Sequence, residues 1–70
     1  MNEIIFLIED DLENGFNAQA LGFPIFTQGG TYDELKKNIF DAVKCHFENE
    51  NDIPKLIRLH YVKDEVLSYA

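Results

Sequence analysis

The strand-to-helix transition is the clearest local signal in this chain, and it occupies Ile25-Phe26-Thr27-Gln28-Gly29-Gly30-Thr31-Tyr32-Asp33-Glu34-Leu35. The run Ile25–Gln28 is typical of a short strand, which Gly29-Gly30 interrupts. Thr31 followed three residues later by Glu34 is the capping-box pattern of a helix start. We therefore predict a third strand that leads directly into a helix capped by Thr31.

The helix that follows carries apolar residues at helical spacing. This stripe predicts one helix face packed on a sheet, and it comprises Leu35, Ile39, Ala42, Val43, His46 and Phe47. We expect the helix to end near Asn49, and Pro54 blocks any continuation.

Two strands are predicted before this transition. Glu3–Ile8 contains five consecutive apolar residues, which indicates a strand that is apolar on both faces. One face meets the helix, and the other is covered either by loops or by a partner or second copy. Asn14-Gly15 is a turn signal, and Phe16–Ala20 alternates apolar and polar residues as a half-buried strand does. The two strands therefore form a hairpin with a long acidic loop.

A last long strand is predicted over Leu56–Val62, with Ile57, Leu59 and Tyr61 on one face. After a tight turn over Lys63–Glu65, the run Val66–Tyr69 can fold back as a fifth strand. The predicted fold class is α+β: a two-layer sandwich of order β-β-β-α-β, with or without the final strand, and a mostly antiparallel sheet. Residues 1–70 form a single domain.

Composition favours an interaction protein. The 70 residues include 13 Asp+Glu and 6 Lys+Arg, giving a net charge of −7. A chain this short buries a small core, and Cys45 as its single cysteine excludes an internal disulfide, so we expect a homo-oligomer or a bound partner. The acidic balance argues against direct nucleic-acid binding and favours a basic protein partner. A lone thiol, Glu3 in place of a basic leader and no long apolar run predict a cytoplasmic protein with no membrane span.

The densest charge feature is the carboxylate cluster Glu9, Asp10, Asp11 and Glu13. A solvated hairpin loop, a docking surface for a basic partner and a divalent-cation site all fit it. The EF-hand pattern fails, because Leu12 falls where an oxygen ligand belongs when Asp10 is placed first. We take these four residues together with Asn17 as the predicted partner-binding set, and Ile5, Leu7 and Tyr61 as the predicted oligomer interface.

No catalytic or metal-ligating constellation emerges from the residues. Cys45 and His46 are adjacent on a helix and point about 100° apart, and His60 lies on a strand. We therefore predict no metal, no cofactor and no enzyme. The alternatives are a stand-alone oligomeric domain with an unknown ligand, and a minimal metal-dependent nuclease that uses Asp10, Asp11 and Asp41.

The chain resembles the HicB-like antitoxin domain of HicA/HicB toxin–antitoxin systems. The resemblance rests on the apolar first strand leading into Glu9-Asp10-Asp11, on Gly15-Phe16, and on the run from Phe26 to Leu35 with Thr27-Gln28-Gly29. Asn38 and Ala42 continue it along the helix, so that it covers residues 1 to about 67. It implies a partial ribonuclease-H-like fold and an antitoxin that neutralises a small basic RNA-cleaving toxin.

Two features depart from the family pattern. Leu21–Phe26 has only part of the family's Pro-Asp-Leu-Pro-Gly-Cys character. The C-terminal DNA-binding segment that many family members carry has no counterpart in this sequence, so we do not expect operator binding.

Overall fold

The computed structural model describes residues 2–13, 15–63 and 65–69. Four strands and one helix account for its regular structure, apart from a one-turn 3₁₀ helix at Glu50–Asp52. In chain order these are β1 (Glu3–Asp11), β2 (Gly15–Ala20), β3 (Phe26–Gly29), α1 (Tyr32–His46) and β4 (Leu56–Val62). The predicted α+β class and the order β-β-β-α-β are therefore confirmed.

The strands form one mixed sheet in the spatial order β3-β2-β1-β4. β1 pairs antiparallel with β2, and β2 pairs antiparallel with β3. β4 returns beside β1 in the parallel direction, with Leu59 opposite Phe6 and Tyr61 opposite Ile8. The chain thus crosses over through α1, and β3 and β4 form the two edges of the sheet.

The core lies between one face of this sheet and α1. Strand alternation places Ile4, Phe6 and Ile8 on the helix-facing side, where each is at most 1% exposed. The helix contributes three residues spaced at three or four positions, as the amphipathic pattern predicted; they are Leu35, Ile39 and Val43. The alternate β1 residues Ile5 and Leu7 lie on the opposite, open face and are half-buried.

The predicted N-cap of α1 is confirmed at Thr31, and the returning bond from the Glu34 side chain goes to Gly30 in place of Thr31. The backbone N–H of Glu34 donates to Thr31 Oγ1 at 3.1 Å, and the backbone N–H of Gly30 donates to Glu34 Oε1 at 3.3 Å. The helix ends at His46, earlier than the predicted Asn49. The prediction that His46 faces the core is also wrong. His46 is exposed, and its ring lies against the rings of Phe23 and Phe47, because the last turn of the helix extends past the sheet.

Three predicted strand boundaries need correction. β1 extends to Asp11, because its backbone stays paired with β2 as far as Gly15. Ile25 is buried but precedes β3, which starts at Phe26. The alternative with a fifth strand is wrong, because residues 65–69 adopt no strand. Asn14 and Asp64, on which the two predicted turns depended, lie outside the described residues.

Two glycines allow the starts of β2 and α1 to approach the end of β3 closely. A Cβ on Gly15 would lie 2.7 Å from the Gly29 oxygen, and Gly15 has a φ of +91°. A Cβ on Gly29 would lie 2.5 Å from the backbone nitrogen of Leu35. Only glycine fits such contacts, so these residues fix the end of the molecule where the acidic side chains gather. No helix in the described part of the chain is long and apolar enough to cross a membrane.

Candidate functional site

Acidic side chains from three segments meet at the end of the sheet where β1 stops. We call this surface the acidic end; its members are Glu9, Asp10, Asp11, Glu13 and Glu34. The first four come from the predicted cluster. Glu34, which the sequence suggested only as a capping residue, joins them because α1 starts beside the β1–β2 turn.

The prediction that the carboxylate cluster forms a long loop is wrong, because Glu9, Asp10 and Asp11 belong to β1. Strand alternation therefore directs them to different faces. Asp10 lies on the helix-facing side, and Glu9 and Asp11 lie on the open side. Only Glu13 is in the connecting turn.

Asp10 is tied to β4. Its carboxylate accepts a hydrogen bond from the Tyr61 hydroxyl. This bond to the neighbouring carboxylate raises the pKa of the Tyr61 hydroxyl above its ordinary value, with lesser contributions from desolvation and from the charge of Asp10. The pair joins the ends of two parallel strands at the acidic end.

Asp11 organises the β1–β2 turn. Its Oδ1 accepts from the backbone N–H of Glu13 at 2.9 Å, and its Oδ2 accepts from Asn17 Nδ2 at 3.2 Å. The half-buried Asn17 thereby holds the Asp11 carboxylate over the start of β2. Three of the five predicted partner-binding residues, Asp10, Asp11 and Asn17, therefore also make side-chain hydrogen bonds within the chain. The side chains of Glu9 and Glu13 are exposed.

A shallow polar depression of about 360 Å³ opens at the acidic end, between the turn and the start of α1. It is lined by Glu13, Gln28, Gly29, Gly30 and Glu34. Two carboxylates and exposed backbone line this depression, which suits basic side chains of a partner rather than an anion.

The positive charges lie elsewhere in the sequence. All six Lys and Arg residues fall between positions 36 and 63. Lys36 pairs with Asp33 at 3.4 Å on the first turns of α1 and lies 5.4 Å from the Tyr32 ring centre. Arg58 binds Glu3 through two nitrogens, at 2.8 and 3.2 Å. The residues of β1 and β2 that form the acidic end therefore bring no cation of their own.

An aromatic cluster supports the acidic end from the helix side. Phe16, Tyr32 and Tyr61 pack with ring centres 5.7 to 6.5 Å apart. The sequence alone does not reveal this cluster, because its members come from β2, α1 and β4. The available signal was the place of Tyr61 on the apolar face of the last strand, with Ile57 and Leu59, but this pattern does not identify the rings that Tyr61 contacts.

The predicted oligomer-interface residues do not share a surface. Ile5 and Leu7 lie on the open face, whereas Tyr61 lies on the helix-facing side, because the parallel register puts it opposite Ile8. On the open face, the apolar pair is flanked by polar neighbours, with Arg58 opposite Ile5 and His60 opposite Leu7. The structure therefore places the three predicted residues on two different faces of the sheet.

The geometry gives little support for a metal site or for a nucleophilic residue. Within the described ranges, no group of three or more His, Cys, Asp or Glu side chains is placed to hold a metal ion. Asp10 and Asp11, which the nuclease alternative requires together, point to opposite faces of the sheet. Asp41 lies exposed in the middle of α1, and Cys45 is an exposed free thiol.

Comparison with known proteins identifies relatives for the whole domain. One relative, a UPF0150 protein of Archaeoglobus fulgidus, is 53% identical over 53 residues, covering 76% of this chain and 77% of the relative. A UPF0150 protein of Thermotoga maritima is 38% identical over 66 residues, covering 94% of this chain and 91% of the relative.

The chain belongs to the UPF0150 family. No family model matches the sequence, and no solved structure matches it. Because the Thermotoga match covers 94% of the chain, the UPF0150 assignment applies to the sheet and the helix together.

Proposed function

We propose that this protein is a HicB-like antitoxin module that self-associates and neutralises a small basic, RNA-cleaving toxin by binding it at the acidic end. The observation that carries the proposal is that Glu9 and Glu13 are exposed where β1 ends, and that Glu34 of α1 lines the same depression as Glu13. Membership of the UPF0150 family and the sequence resemblance to HicB-like domains support the same assignment.

Electrostatics explains how such a surface would work. A patch of one sign attracts a partner of the opposite sign over distances near the Debye length, about 8 Å at physiological salt. The main effect is on the association rate, which steering can raise by 10- to 1,000-fold. An acidic surface is well suited to binding a ribonuclease toxin, because the toxin must present basic groups to its own RNA substrate.

The supporting residues give the surface a fixed shape. Asp10 is held by Tyr61, and Asp11 is held by Asn17 and by the turn backbone. Two carboxylates are therefore ordered before binding, which lowers the entropic cost of association. Glu9 and Glu13 remain exposed and are the residues best placed for direct ion pairs.

The test uses co-expression with any small basic open reading frame next to this gene, followed by co-purification and a growth assay. We expect the toxin's growth arrest to be relieved and the two proteins to purify together. A neighbouring toxin that neither co-purifies nor loses toxicity would contradict the proposal.

The acidic end itself is tested with Glu9→Lys combined with Glu13→Lys. The matched control is Glu48→Lys combined with Glu50→Lys, which makes the same change in net charge at exposed positions after α1. We expect the first variant to slow toxin association at least tenfold at low salt, and the control to change it far less. Equal rates in the two variants would show that net charge, and not the acidic end, drives binding.

A further inference from the structure

An apolar groove runs between α1 and β4, at the edge of the sheet. The helix packs over β2 and β3, and β4 consequently stands beside it with part of its helix-facing side uncovered. Two adjoining cavities of about 300 and 200 Å³ mark the groove. Its apolar lining includes Phe40, Val43, Ile53, Ile57 and Leu59, and Phe40 is 61% exposed.

The outer edge of β4 is also unpaired within the described chain. β4 hydrogen-bonds to β1 on one side and ends the sheet on the other. An exposed strand edge presents a row of backbone donors and acceptors that another extended segment can pair with. Groove and edge together offer both backbone pairing and side-chain pockets, which is the combination used in strand addition.

The segment that follows β4 has the matching chemistry. We call residues 65–69 the C-terminal arm. Val66, Leu67 and Tyr69 are 92%, 81% and 106% exposed, so the arm contacts almost nothing in its own chain. Burial of these three large apolar side chains, which lie within one short segment, is favourable because it removes apolar surface from water.

The arm does not cover the groove of its own chain. Residues 65–69 pair with no strand of the described chain, and their apolar side chains stay exposed. The groove and the arm are therefore both left open in the single chain.

We propose that the C-terminal arm of one copy pairs antiparallel with β4 of a second copy and fills its groove, and that the exchange is reciprocal. The occupant of the groove is thus the same protein. A two-fold axis close to residue 63 relates the two chains, because β4 and the arm lie on either side of that residue and must exchange places.

The side-chain alternation fits this arrangement. With that axis, Leu67 lies opposite Leu59 and Tyr69 lies opposite Ile57 of the second copy. Opposed residues in a sheet share a face, so Leu67 and Tyr69 both enter the groove. Ser68 falls on the other face, opposite Arg58.

The charges do not select this register. Lys63 lies on the axis, opposite Lys63 of the second copy, and Glu65 lies opposite Tyr61, whose hydroxyl is bonded to the Asp10 carboxylate. Like charges placed opposite each other in a sheet are destabilising. The pairing therefore depends on the apolar side chains Leu67 and Tyr69 in the groove.

The first test measures the mass of the protein alone by sedimentation equilibrium, for the full chain and two variants. Leu67→Asp places a charge in the groove, and Ser68→Asp places the same charge on the opposite face. We expect the unaltered chain to dimerise. Leu67→Asp should raise the dimer Kd about 100-fold or more, because both arms lose a buried leucine, and Ser68→Asp should change it less than threefold.

Both substituted residues are exposed in the free chain, so neither variant endangers the fold. A monomeric unaltered chain at high micromolar concentration would overturn the inference, and so would equal effects of the two variants. This inference deepens the self-association in the proposed function. Since the experiment contains no toxin, its failure leaves toxin binding at the acidic end intact, and loss of toxin binding leaves the exchange intact.

A second measurement separates exchange from a hairpin within one chain. In a sample that mixes isotope-labelled and unlabelled protein, filtered NMR should show contacts between the Leu67 methyls of one chain and the Leu59 methyls of the other. Contacts found only within a chain would identify a folded-back arm and overturn the inference.

Discussion

The Tyr61 hydroxyl donates a hydrogen bond to the Asp10 carboxylate, across 51 residues of sequence. The bond links neighbouring parallel strands at the end of the sheet where the acidic side chains gather. It also connects that surface to β4, which borders the groove on the same side of the sheet.

Removal of this hydroxyl should have a pH-dependent effect. The raised pKa of Tyr61 means that its neutral form is favoured in the folded chain. Its contribution to stability is therefore complete below the ordinary tyrosine pKa, about 10, and is lost as pH rises through the higher folded value. Tyr61→Phe should lower Tm by a few degrees at pH 7 and by less above pH 11, as measured by thermal unfolding followed by circular dichroism.

The matched control for that measurement is Tyr69→Phe, which removes the hydroxyl of a fully exposed tyrosine. We expect its Tm to follow the unaltered protein at each pH. If Tyr69→Phe and Tyr61→Phe lose the same stability, the bond to Asp10 makes no specific contribution.

The ion pair between Glu3 and Arg58 should show the opposite pH dependence. The hydrogen bond from Arg58 is the main cause that lowers the pKa of Glu3. The stabilisation is thus present above the ordinary glutamate pKa, about 4.3, and is lost as pH falls through the lower folded value. Glu3→Gln should reduce Tm slightly at pH 7 and leave it unchanged near pH 2.

Geometry distinguishes this pair from the exposed pair of Lys36 and Asp33. Arg58 donates two hydrogen bonds to one carboxylate, whereas Lys36 makes a single 3.4 Å contact with an Asp33 that is 94% exposed. Asp33→Asn should therefore change Tm less than Glu3→Gln, since exposed single ion pairs contribute little. A larger effect of Asp33→Asn would contradict this ranking.

Adjacent glycines should respond very differently to alanine. The Cβ of Gly29→Ala would lie 2.5 Å from the Leu35 backbone nitrogen, whereas the nearest atoms to a Cβ on Gly30 are Glu34 carboxylate oxygens at 4.0 Å. Because backbone atoms cannot move aside at low cost, Gly29→Ala should destabilise the domain by about 2 kcal/mol or more. Gly30→Ala should stay within about 0.5 kcal/mol, by urea unfolding.

Equal stability of the two alanine variants would show that α1 can slide away from β3. In that case the close approach of the helix start would not be what positions Glu34 beside Glu13.

Local patterns predicted the parts of the fold that depend on neighbouring residues. Thr31 and Glu34 marked the helix start correctly, because a capping box involves only four consecutive residues. The period-two alternation of Phe16–Ala20 and of Leu56–Val62 identified strands and their faces. Ile4–Ile8 was correctly taken as apolar on both sides.

These local patterns do not predict which strands pair when the strands are far apart in the sequence. Glu9, Asp10 and Asp11 have the composition of a loop, yet backbone pairing with β2 keeps them in a strand, because sheet context outweighs residue propensity. Tyr61 was grouped with Ile5 and Leu7 because no local signal fixes the register between β1 and β4. Val66–Tyr69 has the composition of a strand, but composition does not say which edge it pairs with, or in which chain.

The parallel pairing of β1 with β4 has a consequence for synthesis of the protein. Glu3 and Arg58 meet although they are 55 residues apart in the chain. At about 5 to 20 residues per second, the central strand waits for several seconds with one side open before its last neighbour emerges. Such non-local closure slows folding. Synthesis of the helix that covers Ile4, Phe6 and Ile8 is therefore complete before the last strand of the sheet emerges.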